Sequence, residues 1–350
     1  MKILSTILLS ALVATSAIAG GDKPIDGLSY SLPKTAVRMQ VLVEKTVTEP
    51  GQLAGFSQLY FGKAGVSTRQ TAYRIVGVSF SSEGRADADR QYTIAIDKKH
   101  SIISVDCAPD GSLLAINTKA QRAKAPAAFV PSPRKAALNP RDYMSQDILS
   151  AGNLPKMAQL VAQEIYDIRD SRSQLSRGEA DFMPKDGEQL RLMYSQLATQ
   201  EAALMQLFQG TTTVDTTATV LSFVPTKENL RPVVFRFSKS FGLCAADDYS
   251  GDPVYANIED TESSKPLPET PAEVAKMKDD FNLGVARPGH IRITLATAEG
   301  KPLGYYETDA AQFGTVEMLN GALFGKKFTS HIILDPATGG VVELKTEPLM

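Results

Sequence analysis

Val37-Arg38-Met39-Gln40-Val41-Leu42-Val43-Glu44 sets apolar residues against polar ones with a period of two. Successive side chains of a strand point to opposite faces, so this pattern predicts a half-buried β-strand. Leu42 interrupts the polar side, which points to some cover on that face too. Pro50-Gly51 ends the strand. Leu53, Phe56 and Tyr60 then recur at spacings of three and four, which predicts one short amphipathic helix closed by Gly62. Further strands are expected at Tyr73–Phe80, Tyr92–Asp97, Ile102–Cys107 and Ser112–Asn117, with Asp110-Gly111 turning the last pair into a hairpin.

Upstream of the strand, Met1 to Gly20 has another character. Lys2 gives a short basic start, Ile3 to Val13 an apolar run, and Ala17-Ile18-Ala19 a small-x-small cleavage site. These are the parts of a secretory signal peptide, expected over residues 1–19. The apolar run is shorter than the ~20 residues a bilayer span requires. No Cys follows it, so the mature N-terminus offers no lipidation site there, and no later run reaches the length of a membrane span. The expectation is an exported protein, periplasmic or associated with the outer membrane, and not an N-terminal lipoprotein.

Downstream, Lys119 to Arg141 carries Lys119, Arg122, Lys124, Arg134, Lys135 and Arg141 with no acid, a local charge of +6, and Pro126, Pro131, Pro133 and Pro140 break regular pairing. It reads as a basic connector, a solvated linker by default and a contact for an anionic partner such as lipid headgroups as the alternative. Met157 to Phe208 is helical. Met157, Val161, Ile165, Ile168 and Leu175 form one stripe, and Leu190, Met193, Leu197, Leu204 and Phe208 form another. Gly178 and Met183-Pro184-Lys185-Asp186-Gly187 separate them, and Asp186 with Gln189 marks the second helix start. Two such helices joined by a short loop predict an antiparallel αα-hairpin. Strands resume at Thr217–Val224 and Val233–Phe237, and Asp247–Pro253 reads as a turn-rich loop. Glu259 to Asp280 has seven acids against three Lys, and within it Thr270-Pro271-Ala272-Glu273 predicts another helix start, with Val274, Met277 and Phe281 on its apolar side. Ile291, Ile293 and Leu295 alternate, and Ile332–Leu334 and Val341–Leu344 flank Asp335-Pro336-Ala337-Thr338-Gly339-Gly340 as a hairpin. The fold class is α+β, with largely antiparallel β regions flanking a long αα-hairpin. The expected divisions are a β-rich region over 20–118, the linker over 119–141, the helical hairpin over 142–210 and a second β-rich region over 211–350.

The 350 residues are 43% hydrophobic and 22% charged, ample for a core. Without Lys2 the charge is 36 basic against 39 acidic residues, a net of -3, which gives no general pull toward nucleic acid or anionic lipid. Motifs for chemistry are few. Gly55-Phe56-Ser57-Gln58-Leu59 lacks the final Gly of a nucleophile elbow, and there is no phosphate loop or dinucleotide fingerprint, so no cofactor is expected. The three histidines, His100, His290 and His331, have no ligand spacing. His290 and His331 each begin an expected strand, so neighbouring strands could bring them together into a zinc site with carboxylate help, but the default reading is hydrogen-bonded strand-end histidines. Asp247, Asp248, Ser250 and Asp252 form the best polar cluster. Its oxygens suit calcium, with Asp247, Asp248 and Asp252 as the ligands, but the spacing departs from the EF-hand loop and suits a plain turn equally. Arg236 could bind an acidic ligand beside that loop, make a structural ion pair or face water. Arg169 and Arg172 could close onto Glu179 and Asp181. Cys107 and Cys244 are the two cysteines. Export makes a disulfide between them chemically accessible, and the spacing does not decide between a bridge and two thiols.

Several short motifs together resemble a known family: Tyr30-Ser31-Leu32-Pro33-Lys34-Thr35, Pro50-Gly51, Gly62, Arg169-x-x-Arg172, Gly178-Glu179-x-Asp181, Asp186-Gly187, Gln200-Glu201, Leu207-Phe208-x-Gly210, Phe235-Arg236-Phe237-Ser238 and Ser250-Gly251-x-Pro253. They resemble an exported bacterial family known as domain of unknown function 4831, with the likeness running from about Tyr30 to the C-terminus. The resemblance implies a Gram-negative envelope protein with no established activity and supplies no catalytic residue. The resulting expectation is a non-enzymatic interaction module that touches another envelope protein. The alternative is a glycan- or peptidoglycan-acting enzyme, or a ligand binder, using the Asp247–Asp252 loop.

Overall fold

The computed structural model describes residues 27–96, 100–120, 122, 127–131, 137–180, 183, 186–261, 283–325 and 327–348. The expected signal peptide, the helix start at Thr270, Asp181 and much of the basic connector lie outside the described residues.

The alternating stretch sits in strand β1 (Gly27–Glu49), the centre of a three-stranded antiparallel sheet between β2 (Gln70–Ala95) and β5 (Thr211–Phe223). Val37, Met39, Val41 and Val43 are buried on one face. Leu42, on the other face, is half-buried opposite Gly77 and Ala218. The strands expected at Tyr73–Phe80 and Tyr92–Asp97 are one strand, β2, which continues through the polar run 81–91. That run reads as a loop because its residues are polar and include Gly84. It nonetheless pairs with β1, and between the Ser31–Gln91 and Pro33–Ala86 pairs it bulges outward around Asp87. Asp87 is buried there, 2.9 Å from Lys34 Nζ and 3.6 Å from Arg90 Nε.

A second antiparallel sheet contains β6 (Val233–Ser238), β7 (Gly242–Cys244), β8 (Asp252–Asp260), β9 (Leu283–Thr297) and β10 (Pro302–Leu319), in the order β10-β9-β8-β6-β7. Its inner side chains Phe235, Val254, Ala256, Ile258, Ile293 and Leu295 pack against those of β1. Burial of each larger apolar side chain stabilises by about 1.5–3 kcal/mol, so this face is the main source of cohesion between the two sheets. The third sheet has the order β12-β11-β4-β3, from β3 (Val105–Cys107), β4 (Leu113–Ile116), β11 (Phe328–Leu334) and β12 (Val341–Pro348). It covers a second core in which Leu113, Ile116, Ile332 and Leu334 meet Tyr30, Leu32, Ile94, Leu283 and Val285. Strands β1 and β9 therefore serve both cores, each with one end in either. The sheets also join distant parts of the chain, since β1 pairs with β5 and β4 pairs with β11.

The turn between β11 and β12 forms as its residues predict. The Asp335 carboxylate accepts the N–H groups of Ala337 and Thr338 at 2.8 Å, and Gly339 takes a left-handed φ of 71°.

The helices form a separate layer: α1 (Ser57–Phe61), α2 (Gln146–Leu149), α3 (Leu154–Arg177) and α4 (Gly187–Gln209). Asp186 caps α4 by accepting the N–H groups of Glu188 and Gln189. Val161, Ile165 and Ile168 of α3 meet Leu204, Leu207 and Phe208 of α4 over Leu53 and Ile148. The other half of the α4 stripe, Leu190, Met193 and Leu197, is only half-buried. This layer is fixed to the first sheet where β1 ends and β5 begins. The Leu53 N–H donates to the Leu207 carbonyl at 2.7 Å. Gly210 has a φ of 84°, and a Cβ on it would lie 2.1 Å from the Glu49 carbonyl oxygen.

Candidate interaction surface

The polar loop between β7 and β8 is largely occupied with holding itself. The Asp248 carboxylate accepts the Ser250 N–H at 2.9 Å and the Ser250 hydroxyl as well, and these bonds hold its pKa below the usual carboxylate value. Asp247, Asp248 and Ser250 are exposed, and Asp252 opens β8 opposite Phe237. Arg236 forms no ion pair with any described residue, and it does not reach outward to water alone. Its Nε donates to the Ala246 carbonyl at 2.9 Å, its Nη1 donates to the Gly251 carbonyl at 3.2 Å, and its guanidinium lies 4.3 Å from the Tyr249 ring centroid. It clamps both ends of the loop. Among the described residues, no group of three or more His, Cys, Asp and Glu side chains gathers at a metal-holding distance.

The histidines are separated. His290 lies within β9 of the second sheet and His331 within β11 of the third, so neighbouring strands do not bring them together. Each is hydrogen-bonded: His290 Nδ1 is 2.9 Å from Asp309, and His331 Nδ1 is 2.7 Å from the Asn117 carbonyl. Cys107 in β3 and Cys244 in β7 are free thiols in different sheets. Burial, then the charges of Asp106 and Asp110, pushes the Cys107 thiol up, which makes it a poor nucleophile.

Arg169 and Arg172 close onto Glu201 of α4, not onto Glu179, at 2.7 and 2.6 Å. Glu179 pairs with Arg177 instead, at 2.9 Å. Partial burial raises the Glu201 pKa, but the hydrogen bonds and charges of the two arginines outweigh it and hold the carboxyl below its ordinary value.

What remains open on the molecule lies elsewhere. Among the described residues β12 is an edge strand, bonded to β11 on one side. Val341, Val342 and Leu344 of this edge strand expose 41, 66 and 46% of their surfaces, and Phe328 at the start of β11 exposes 47%. Glu343 and Lys345 form an ion pair between them. β12 is described as far as Pro348, which has no N–H to donate. Val341 and Val342 also line a cleft of about 660 Å³ whose other walls come from β2, β9, β10 and the 335–340 turn. Its polar groups include Arg287 and Glu317, paired at 3.1 Å, and Tyr306 and Thr308, both hydrogen-bonded to Ser82. None of the residues of the Asp247–Asp252 loop lines this cleft. Sequence reading placed Val341–Leu344 on a strand but had no signal that the strand would be an edge, because edge position depends on which strands arrive beside it.

The architecture is that of an α+β protein, with three antiparallel sheets and a helical layer, and no helix among the described residues is long and apolar enough to cross a membrane. Residues 26–342 match the family described as Domain of unknown function (DUF4831), and the chain belongs to that family. Neither the curated proteins nor the solved structures yield a match.

Proposed function

We propose that the chain is an exported cell-envelope protein that works by binding an extended segment of another envelope protein, without catalysing a reaction. Export rests on the basic start, apolar run and Ala17-Ile18-Ala19 site of the N-terminal segment. Binding rests on one observation, the open edge of β12 with Val342 and Leu344 exposed beside a cleft. A partner strand added to this edge would gain main-chain hydrogen bonds and would set its side chains in alternation against those of β12. The matching segment is apolar opposite Val342 and Leu344. On the other face it carries a base opposite Glu343 and an acid opposite Lys345. The glycan-directed reading has no comparable support, because Asp248 and Arg236 spend their polar groups on their own loop.

The test is affinity capture with cross-linking from envelope fractions, comparing the wild-type chain with the Val342→Glu/Leu344→Glu variant. The expected result is one repeatable partner whose capture is lost in the variant while the circular dichroism spectrum is unchanged. No repeatable partner, or capture that survives both substitutions, overturns the binding reading. N-terminal sequencing of the fractionated protein tests export, and a chain retaining Met1 in the cytoplasm counts against it.

A further inference from the structure

A cleft of about 360 Å³ lies where the outer face of β1 and β2 meets the 108–112 turn and Pro336-Ala337. Two of its lining residues, Arg38 and Arg122, are cations with no hydrogen bond or ion pair to any described residue. Arg38 is half-buried and stands across the sheet from Ser81 and Ser222. The neighbouring Arg85 shows the contrast, since it is committed to Glu83 at 2.7 Å and to the Ser222 hydroxyl at 2.6 Å.

The two carboxylates of the cleft are spoken for. Glu83 holds Arg85, and Asp110 accepts the N–H groups of Ala86 at 3.0 Å and Ser112 at 3.1 Å. Those bonds outweigh the effect of burial and keep the Asp110 carboxyl below its usual range. The cleft therefore has two guanidinium groups uncommitted to any described residue, while both of its acids are already satisfied. Partial burial of an unpaired charge costs free energy that a bound counter-charge returns.

We propose that this cleft binds a phosphate group carried on a larger molecule. Guanidinium is a planar fork that meets phosphate through paired hydrogen bonds, and a phosphate has enough oxygens for two arginines approaching from different elements. The volume exceeds a lone phosphate and leaves room for the group that bears it. Arg122 also belongs to the acid-free basic run 119–141, which would raise the local concentration of any anion near the cleft. The inference stands on these residues alone and does not require the strand-edge reading.

The experiment uses the full purified chain with two probes, pyrophosphate in calorimetry and vesicles of phosphatidylglycerol against phosphatidylcholine in co-sedimentation. Arg38→Gln and Arg122→Gln are compared with Arg141→Gln, a basic-run residue outside the cleft lining. Arg122 is exposed, so its variant keeps the fold even where Arg38→Gln does not. The expected result is saturable binding that weakens at least tenfold in each cleft variant and less than twofold in Arg141→Gln. Binding to pyrophosphate alone assigns a soluble phosphate compound, and binding to anionic vesicles with the same variant pattern assigns a lipid headgroup. No binding of either probe, or equal losses in all three variants, overturns the proposal.

Discussion

Glu201 takes two guanidinium groups from one neighbouring helix and is only 16% exposed, whereas Arg169 and Arg172 keep about 40% of their side chains in water. Its pKa is lowered in the folded protein. The stability it adds is therefore fully present above the ordinary value of 4.5 and is lost as pH falls through the lower folded value. Glu201→Gln should cost about 1–2 kcal/mol at pH 7, with the solvent around the arginines softening the loss. The gap between variant and wild type should narrow as pH drops below 4.5, and urea midpoints across that range measure it. Arg236→Ala should act more locally. Amide exchange at 247–251 should quicken, while the global unfolding free energy falls by less than about 1.5 kcal/mol, since the lost bonds are partly exposed. These two arginine sites also show what spacing conveys. Arg169 and Arg172 were legible as a basic pair at a helix end, but their partner is a residue of the next helix, and the nearby Glu179 drew the reading. Asp87, Arg38 and their surroundings had no signal at all, because burial of a charge depends on the bulge in β2 and on the turns that settle against it.

At the scale of elements, legibility followed one-sided burial. β1 was clear because Val37, Met39, Val41 and Val43 all face one core. The caps at Asp186 and the turn at Asp335–Gly340 were clear because their chemistry is local. β10 went unseen. It is an edge strand of 18 residues whose burial switches between layers, and its run Tyr305-Tyr306-Glu307-Thr308-Asp309 has no apolar alternation. The ends of β8 read as a turn-rich loop and an acidic segment, because Asp252, Glu259 and Asp260 bracket an apolar middle that carries no signal of its own. β9 begins before the point expected, which moves His290 from a strand end to its interior. The join between helices and sheet is the element most sensitive to change. Gly210→Ala would place a methyl group against the Glu49 carbonyl at a left-handed φ, so it should destabilise by about 2–3 kcal/mol. Gly187→Ala, within the first turn of α4 with open space around it, is the control and should change the melting temperature little.

Across the whole molecule, the region boundaries legible in composition do not coincide with the sheets, since strands from both ends of the chain interleave. β1 is the central strand of its sheet, and its second neighbour comes late: Thr217 bonds to Val43 from 174 residues away. Such distant pairing slows folding, because loop-closure entropy is lost before the contact forms. Until β5 arrives, one flank of a strand rich in Val and Met offers unpaired main-chain groups to whatever is near. A chain diluted from denaturant should refold over milliseconds to seconds, and its recovered soluble fraction should fall as protein concentration rises; a yield independent of concentration would show that the flank is shielded early. If the chain is exported as proposed, the same delay leaves that flank unmet during transit, and a holding chaperone that recognises extended apolar chain would be most useful to the segment around Val41.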